Sequence, residues 1–282
     1  MKKNNFNILI TPERNLFSFN IKEIISFKDL IWLFVKRDFK TFYVQTILGP
    51  IWYIIQPLIN TLIFTIIFGK LANISTDGVS PFLFYLSGTI VWGYFANNVN
   101  LTSDTFTKNS ELFGKVYFPR IIVPIANILV NFAQFIIQFL IFVLFYIYFN
   151  LNYELFQLNY LELLFLPLIL LQLALLSLGV GTLISSITSK YKDLTLALSF
   201  IVQAWMYATP IVYPLSVVPE KYKIFFALNP MTSIVECFRL IFLGVSSINI
   251  YLISVSLITT LVIFIFGVLS FNKTEKNFMD TV

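Results

Sequence analysis

The sequence contains no histidine and one cysteine, Cys237. The first absence excludes imidazole acid–base chemistry and histidine-ligated metal. The second rules out a disulfide within these residues, so Cys237 reads as a small apolar side chain. A phosphate-binding loop is missing too: Gly69-Lys70 and Gly114-Lys115 lack the earlier glycine and the following Ser or Thr. Charge is also scarce, at 12% of 282 residues, about half of what a soluble domain carries.

The scarcity of charge is unevenly distributed. Six stretches carry no charged side chain at all: Leu48–Gly69, Gly78–Ser103, Ile121–Tyr153, Leu163–Ser189, Leu194–Pro219 and Leu240–Asn272. A helix crosses a bilayer's hydrocarbon core with about 20 apolar residues, and each stretch is long enough. An all-α membrane protein in one membrane domain, 1–282, follows, with transmembrane helices expected at 48–69, 82–102, 120–149, 163–187, 194–214 and 250–271. The first 30 residues lack a long apolar core, so no cleavable signal is expected.

The net charge of +5 could suggest nucleic acid, but the charges lie in loops beside the apolar runs, so no nucleic-acid partner is expected. The positive-inside rule accounts for them better. Eight of the 19 basic residues precede Leu48, which places the N-terminal side in the cytoplasm. Six crossings then bring Lys108, Lys115, Arg120, Lys190, Lys192, Lys273 and Lys276 to that side as well, with both termini cytoplasmic.

Between the spans, three segments have a pattern of their own. Over 26–45, Phe27, Ile31, Val35, Phe39 and Phe42 fall on one helical arc with Lys36 and Lys40 opposite, which predicts an amphipathic helix in the membrane interface. Asp38 projects among the apolar residues, either into a buried pairing within a complex or at a frayed helix end. Residues 103–115 predict one small cytoplasmic helix closed by Gly114. Over 219–243, two apolar pieces too short to span meet at Asn229-Pro230, which predicts a re-entrant helix pair dipping into the outer leaflet.

Ionisable residues within the membrane mark ion-driven carriers, and the six stretches contain none. The embedded candidates are Glu236 and Arg239, three residues apart on one helix. They read either as a contact at an external gate or as an ion pair that eases the burial of both. Asn127, Asn131, Gln134 and Gln138 follow a three-to-four spacing on one face, and aromatics make up 18% of the chain. Amides beside rings suit a sugar chain. They also suit interhelical hydrogen bonding, just as Trp and Tyr suit membrane interfaces.

The order of several short motifs resembles the permease subunit of ABC-type polysaccharide exporters, the type 2 exporters that carry O-antigen, capsule or teichoic-acid precursors. The matching pieces are Lys28-Asp29-Leu30-Ile31-Trp32, Arg37-Asp38, Leu48-Gly49-Pro50-Ile51-Trp52 with Gln56-Pro57, and Phe84-Tyr85-Leu86-Ser87-Gly88 with Trp92. They continue with Phe113-Gly114-Lys115-Val116-Tyr117-Phe118-Pro119-Arg120, Tyr191-Lys192-Asp193, Thr209-Pro210-Ile211-Val212-Tyr213, Asn229-Pro230 and Arg239. The family commonly has Arg where this chain has Lys192, which keeps the charge but weakens any bidentate contact.

The resemblance implies a homodimer in the bacterial inner membrane, in contact with membrane lipid and served by two copies of a cytoplasmic ATPase. ATP and Mg would then be bound on that partner, with no cofactor, metal or catalytic residue in this chain. It implies docking to the ATPase through Lys36, Arg37, Asp38, Asp104, Lys108, Glu111, Phe113 and Lys115. A lipid-linked polysaccharide would pass Trp52, Tyr53, Gln56, Trp92, Asn127, Asn131, Gln134, Trp205 and Tyr207, and an external gate would comprise Tyr213, Asn229, Pro230, Glu236 and Arg239. An ABC permease for a drug or lipid shares this topology. A membrane transferase is a third reading, but the loops offer only scattered carboxylates.

Overall fold

A computed structural model of the chain describes residues 21–44, 49–153, 160–191, 193–246 and 249–278. These residues are mostly helical and contain no strand. Two helices lead in, α1 (Ile21–Ser26) and α2 (Lys28–Val44). A 3-10 turn at Gly49–Ile51 opens α3 (Trp52–Phe64), which continues as a π-helical turn over Thr65–Leu71. Then come α4 (Pro81–Ser103), the short α5 (Thr105–Lys108) and α6 (Ser110–Lys115), and α7 (Ile122–Tyr153). After α8 (Tyr160–Leu163) follow α9 (Leu166–Thr188), α10 (Leu194–Tyr207), α11 (Glu220–Leu228), α12 (Pro230–Leu243) and α13 (Ile250–Phe278). The expected segment ends at Gln45 and Leu48, the loop residues 154–159, Lys192 and the side chain of Phe42 lie outside the described residues.

Four helical stretches are long and apolar enough to cross a membrane: Trp52–Leu71, Ile122–Asn152, Leu161–Thr188 and Ile250–Lys276. A fifth candidate is the bent pair of α11 and α12, which turns through 103° at its break. The expected span at 82–102 is a helix of 23 residues, but its Ser, Thr, Gly and Asn content keeps it out of that group. α4 is buried along most of its length, from Leu83 to Ser103, so protein rather than lipid surrounds these polar groups. The expected span at 194–214 is helical only to Tyr207; 14 residues cover about 21 Å. Pro210 and Pro214 cannot donate to a continuing helix, and the chain turns there.

α4 packs between α7 and α9, and α13 packs along α9. Glycines set the closeness of two of these crossings. A Cβ on Gly179 would lie 2.6 Å from the Phe264 Cα of α13, and one on Gly181 would lie 2.7 Å from the Thr102 Cβ of α4. Gly267 answers Gly179 from α13, its missing Cβ pointing at the Gly179 carbonyl. Such small-residue contacts let helix backbones approach where lipid supplies no hydrophobic drive.

A second, separate cluster gathers the lead-in and the short helices. Phe34 of α2, Phe106 of α5, Phe113 of α6, Phe118, Ile122 of α7 and Phe271 of α13 are buried together. The expected single helix at 103–115 is two helices because Asn109 interrupts it, its Nδ2 donating to the Thr105 carbonyl at 2.9 Å. The apolar arc of α2 packs onto α7 and this phenylalanine cluster, so the chain itself covers much of that face. Trp32 and Leu33 point outward beside Lys36 and Lys40.

Candidate functional site

Two polar nodes hold the region where α10 breaks off and the bent pair α11–α12 begins. The first is built on Arg239 of α12, which is 1% exposed. Its Nη1 donates to the Pro210 carbonyl at 2.6 Å and to Glu236 Oε1 at 3.2 Å. Its Nη2 donates to the Ile211 carbonyl at 2.8 Å and reaches the Phe84 carbonyl of α4 at 3.4 Å. The guanidinium lies 3.6 Å from the centroid of the Phe84 ring, a cation–π arrangement. Gly88 leaves the space: a Cβ there would meet Arg239 Nη2 and Ile211 Cγ2, each at 3.0 Å. Glu236 Oε2 accepts from the Ser246 hydroxyl at 3.0 Å.

The second node is Asn229, at the corner of the bent pair. Its Oδ1 caps α12 by accepting from Met231 N at 3.2 Å and also accepts from Trp205 Nε1 of α10 at 3.1 Å. Its Nδ2 donates to Thr209 Oγ1 at 2.9 Å and to the Ala208 carbonyl at 3.4 Å. Pro230 follows as the first helical residue, where its missing N–H costs nothing. Trp205 meanwhile packs edge-on against Phe95 and Trp92 of α4, at 5.1 and 6.4 Å between centroids.

At the other end of the bundle the expected docking residues are mostly surface charges. Lys108 is exposed and pairs with Asp104 at 2.7 Å, and Glu111 and Lys115 are exposed on α6. Arg37 pairs with its neighbour Asp38 at 2.7 Å and lies 4.8 Å from the Phe34 centroid. Phe113 differs: at 5% exposed it packs beneath the surface against Phe106 and Phe118. Arg120 ties this end to α13, its backbone N donating to Glu275 Oε1 at 3.2 Å and its Nη1 to the Glu275 carbonyl at 2.6 Å. Burial, the larger effect, holds the Arg120 guanidinium below its usual pKa, and the Glu275 carboxylate offsets part of that.

A family model described as ABC-2 type transporter matches residues 29–243. The chain belongs to the ABC-2 type transporter family. The match takes in α2, both short helices, the Asn229 node and the Arg239 node. Among the relatives, two proteins named O-antigen export system permease protein RfbA from Klebsiella pneumoniae are each 25% identical over 89% of this chain and 94% of their own length. A third of that name, from Myxococcus xanthus, is 22% identical over 79% of this chain and 83% of its own.

In this ABC-2 chain the residues expected along a path divide into two sets. Trp52, Gln56 and Tyr207 are exposed, and Asn127, Gln134 and Trp205 half-buried. Tyr53, Trp92 and Asn131 are buried. Asn131 Nδ2 donates to Asn98 Oδ1 of α4 at 2.7 Å, and Gln138 Nε2 donates to the Tyr53 carbonyl of α3 at 3.0 Å. These two amides therefore join helices. Tyr213 is half-buried, its hydroxyl donating to the Tyr207 carbonyl at 3.1 Å. Replacing Asn131 by Leu should cost about 1 kcal/mol of stability through the bond to Asn98. Thermal unfolding of the purified protein checks it, and an unchanged midpoint would remove the bond from the account.

Sequence reasoning missed the roles of Phe84, Gly88 and Gly267. The first two lay inside a recognised motif with no partner visible. Gly267 stood as a lone glycine in an apolar run, which was its one available signal.

Proposed function

We propose that this chain is the transmembrane permease subunit of an ATP-driven ABC exporter that carries a lipid-linked polysaccharide from the cytoplasm to the outer face of the bacterial inner membrane. The observation that carries this reading is likeness along nearly the whole chain to permeases named for O-antigen export. In this reading two copies form a homodimer and two cytoplasmic ATPase subunits bind ATP and Mg. The chain crosses six times, with both termini cytoplasmic. α4 and α10 complete the set of spans: α4 is shielded by its neighbours, and α10 is prolonged by the broken segment to Pro214.

The exposed side chains of α3 and α10, Trp52, Gln56, Gln203 and Tyr207 among them, remain for a second copy and for cargo passing between the two. Docking falls to the exposed charges Lys36, Arg37, Lys108, Glu111 and Lys115, with Asp38 and Asp104 holding two of them in place. Phe113 anchors that surface from beneath. The external gate is the α11–α12 pair with Tyr213.

Affinity purification of the tagged protein from its native membrane, with mass spectrometry, tests the assembly. A stoichiometric ABC ATPase is expected, and its absence under mild detergent would count against the reading. Deleting the gene should strip a glycan from the cell surface. Loss of a drug efflux or lipid export instead would move the cargo to the other class of permease. Reversing charge at both Lys108 and Glu111 should weaken copurification of the ATPase, while unchanged recovery would take this loop off the docking surface. Gln134→Trp should lower export with folding unchanged; normal export would take that face off the path.

A further inference from the structure

We infer that the broken end of α10 and the α11–α12 hairpin move as one body, and that Asn229 and Arg239 are the positioning residues that join them. The inference rests on the export reading, in which the outer mouth must open for cargo. A helix that stops at Tyr207 and leaves carbonyls without helical partners is ordinarily where a chain bends. Here those groups are taken. The Ala208, Pro210 and Ile211 carbonyls and the Thr209 hydroxyl all accept from Asn229 or Arg239. Trp205 Nε1 closes the set from inside α10.

The Arg239 bonds to Pro210 and Ile211 are buried, so no water replaces them when they break, and each must be kept or exchanged for another protein partner. A swing of the hairpin about 208–214 would release several at once, including two to a buried cation. Arg239's own hold on α4 is weaker. There the guanidinium faces the Phe84 ring and reaches one carbonyl at 3.4 Å. The exit from the hairpin is looser still: Gly244 has φ +65° and open space around its missing Cβ. Movement then falls on Gly244, on side-chain packing against α4, α7, α9 and α13, and on the Ser256–Pro230 bond, while the join to α10 stays closed. This also explains why motif pieces far apart in sequence, Phe84–Gly88, Thr209–Ile211, Asn229 and Arg239, meet at one place.

The test uses the full chain with Cys237→Ala, in two measurements. In the first, Thr209→Cys and Asn229→Cys replace a hydrogen bond with an oxidisable pair. The reduced form lacks the Asn229 bonds, so oxidation in membranes should form the disulfide and raise export above that of the reduced form. Export that stops on oxidation and returns with reductant overturns the inference, as does failure of the disulfide to form. The second measurement is independent of cargo. Spin labels at Ser199→Cys on α10 and Lys221→Cys on α11, in lipid nanodiscs and diluted with unlabelled chain so that one copy carries both labels, should give one narrow distance that Asn229→Ala broadens. A broad or two-peaked distribution without Asn229→Ala overturns the joined body. A parent strain that exports no glycan would instead count against the proposed cargo, and the spin-label distance would still decide this point.

Discussion

Arg239→Met should abolish the assembled protein, while Glu236→Gln should leave it folded with a lower unfolding midpoint. The two residues form one buried pair, 1% and 3% exposed at their side chains, but their other partners differ. Removing the guanidinium strands a carboxylate whose remaining partner is the Ser246 hydroxyl, and leaves the Pro210 and Ile211 carbonyls without their donor. Breaking a buried pair from one side costs about 3–5 kcal/mol, and each stranded carbonyl adds about 1–3. That is comparable to a typical folding stability of about 5–15 kcal/mol. Glu236→Gln removes one charge but leaves Arg239 on its carbonyls, which solvate it. Arg239→Lys should fall between the two, because its three donors radiate from one nitrogen and cannot reproduce the fork that serves the Pro210 and Ile211 carbonyls from two. Arg239→Met combined with Glu236→Gln should recover part of the loss, since no buried charge is then left alone. Gel filtration of heated, detergent-solubilised protein reads the series. An Arg239→Met protein melting with the parent would mean that this cation does not hold the node.

The same residues mark the limit of what the sequence could reveal. Charge-free runs located α3, α7, α9 and α13, because length without charge is what a bilayer demands. Asn229-Pro230 gave the corner of the bent pair, because proline at a first helical position and asparagine before it are local signals. The same measure overstated α10: absence of charge ran on to Pro219, while helical hydrogen bonding stops at Tyr207. It located α4 as well, 82–102 against Pro81–Ser103, but could not show that neighbouring helices wrap its polar groups. Glu236 and Arg239 were recognised as a pair, but the carbonyls that hold Arg239 have no signature in sequence, since every residue carries one. Phe113 was expected among the docking residues of the small cytoplasmic helix. Its burial depends on Phe34, Phe106 and Phe118, which come from three other parts of the chain.

Gly179→Val and Gly267→Val should each drive α9 and α13 apart, and Gly93→Ala should be silent. At the first two positions the atoms in the way include backbone: the Phe264 Cα at 2.6 Å from a Cβ on Gly179, and the Gly179 carbonyl against one on Gly267. No rotamer change relieves such a contact, so the loss should reach or exceed the upper part of the usual overpacking range of about 1–3 kcal/mol. A Cβ on Gly93 meets nothing within 4 Å. The consequence for transport should exceed the loss of stability, because α13 touches both ends of the machine. Near one end Ser256 donates to the Pro230 carbonyl of the hairpin at 3.1 Å. Near the other, Phe271 sits in the phenylalanine cluster and Glu275 holds Arg120. A displaced crossing alters the spacing between those two attachments even in molecules that fold. Export by the milder Gly267→Ala protein, divided by the amount recovered folded on gel filtration, should therefore fall below the parent's. Equal export per folded molecule would confine the glycine contact to packing and leave α13 without a role in linking the phenylalanine cluster to the α11–α12 hairpin.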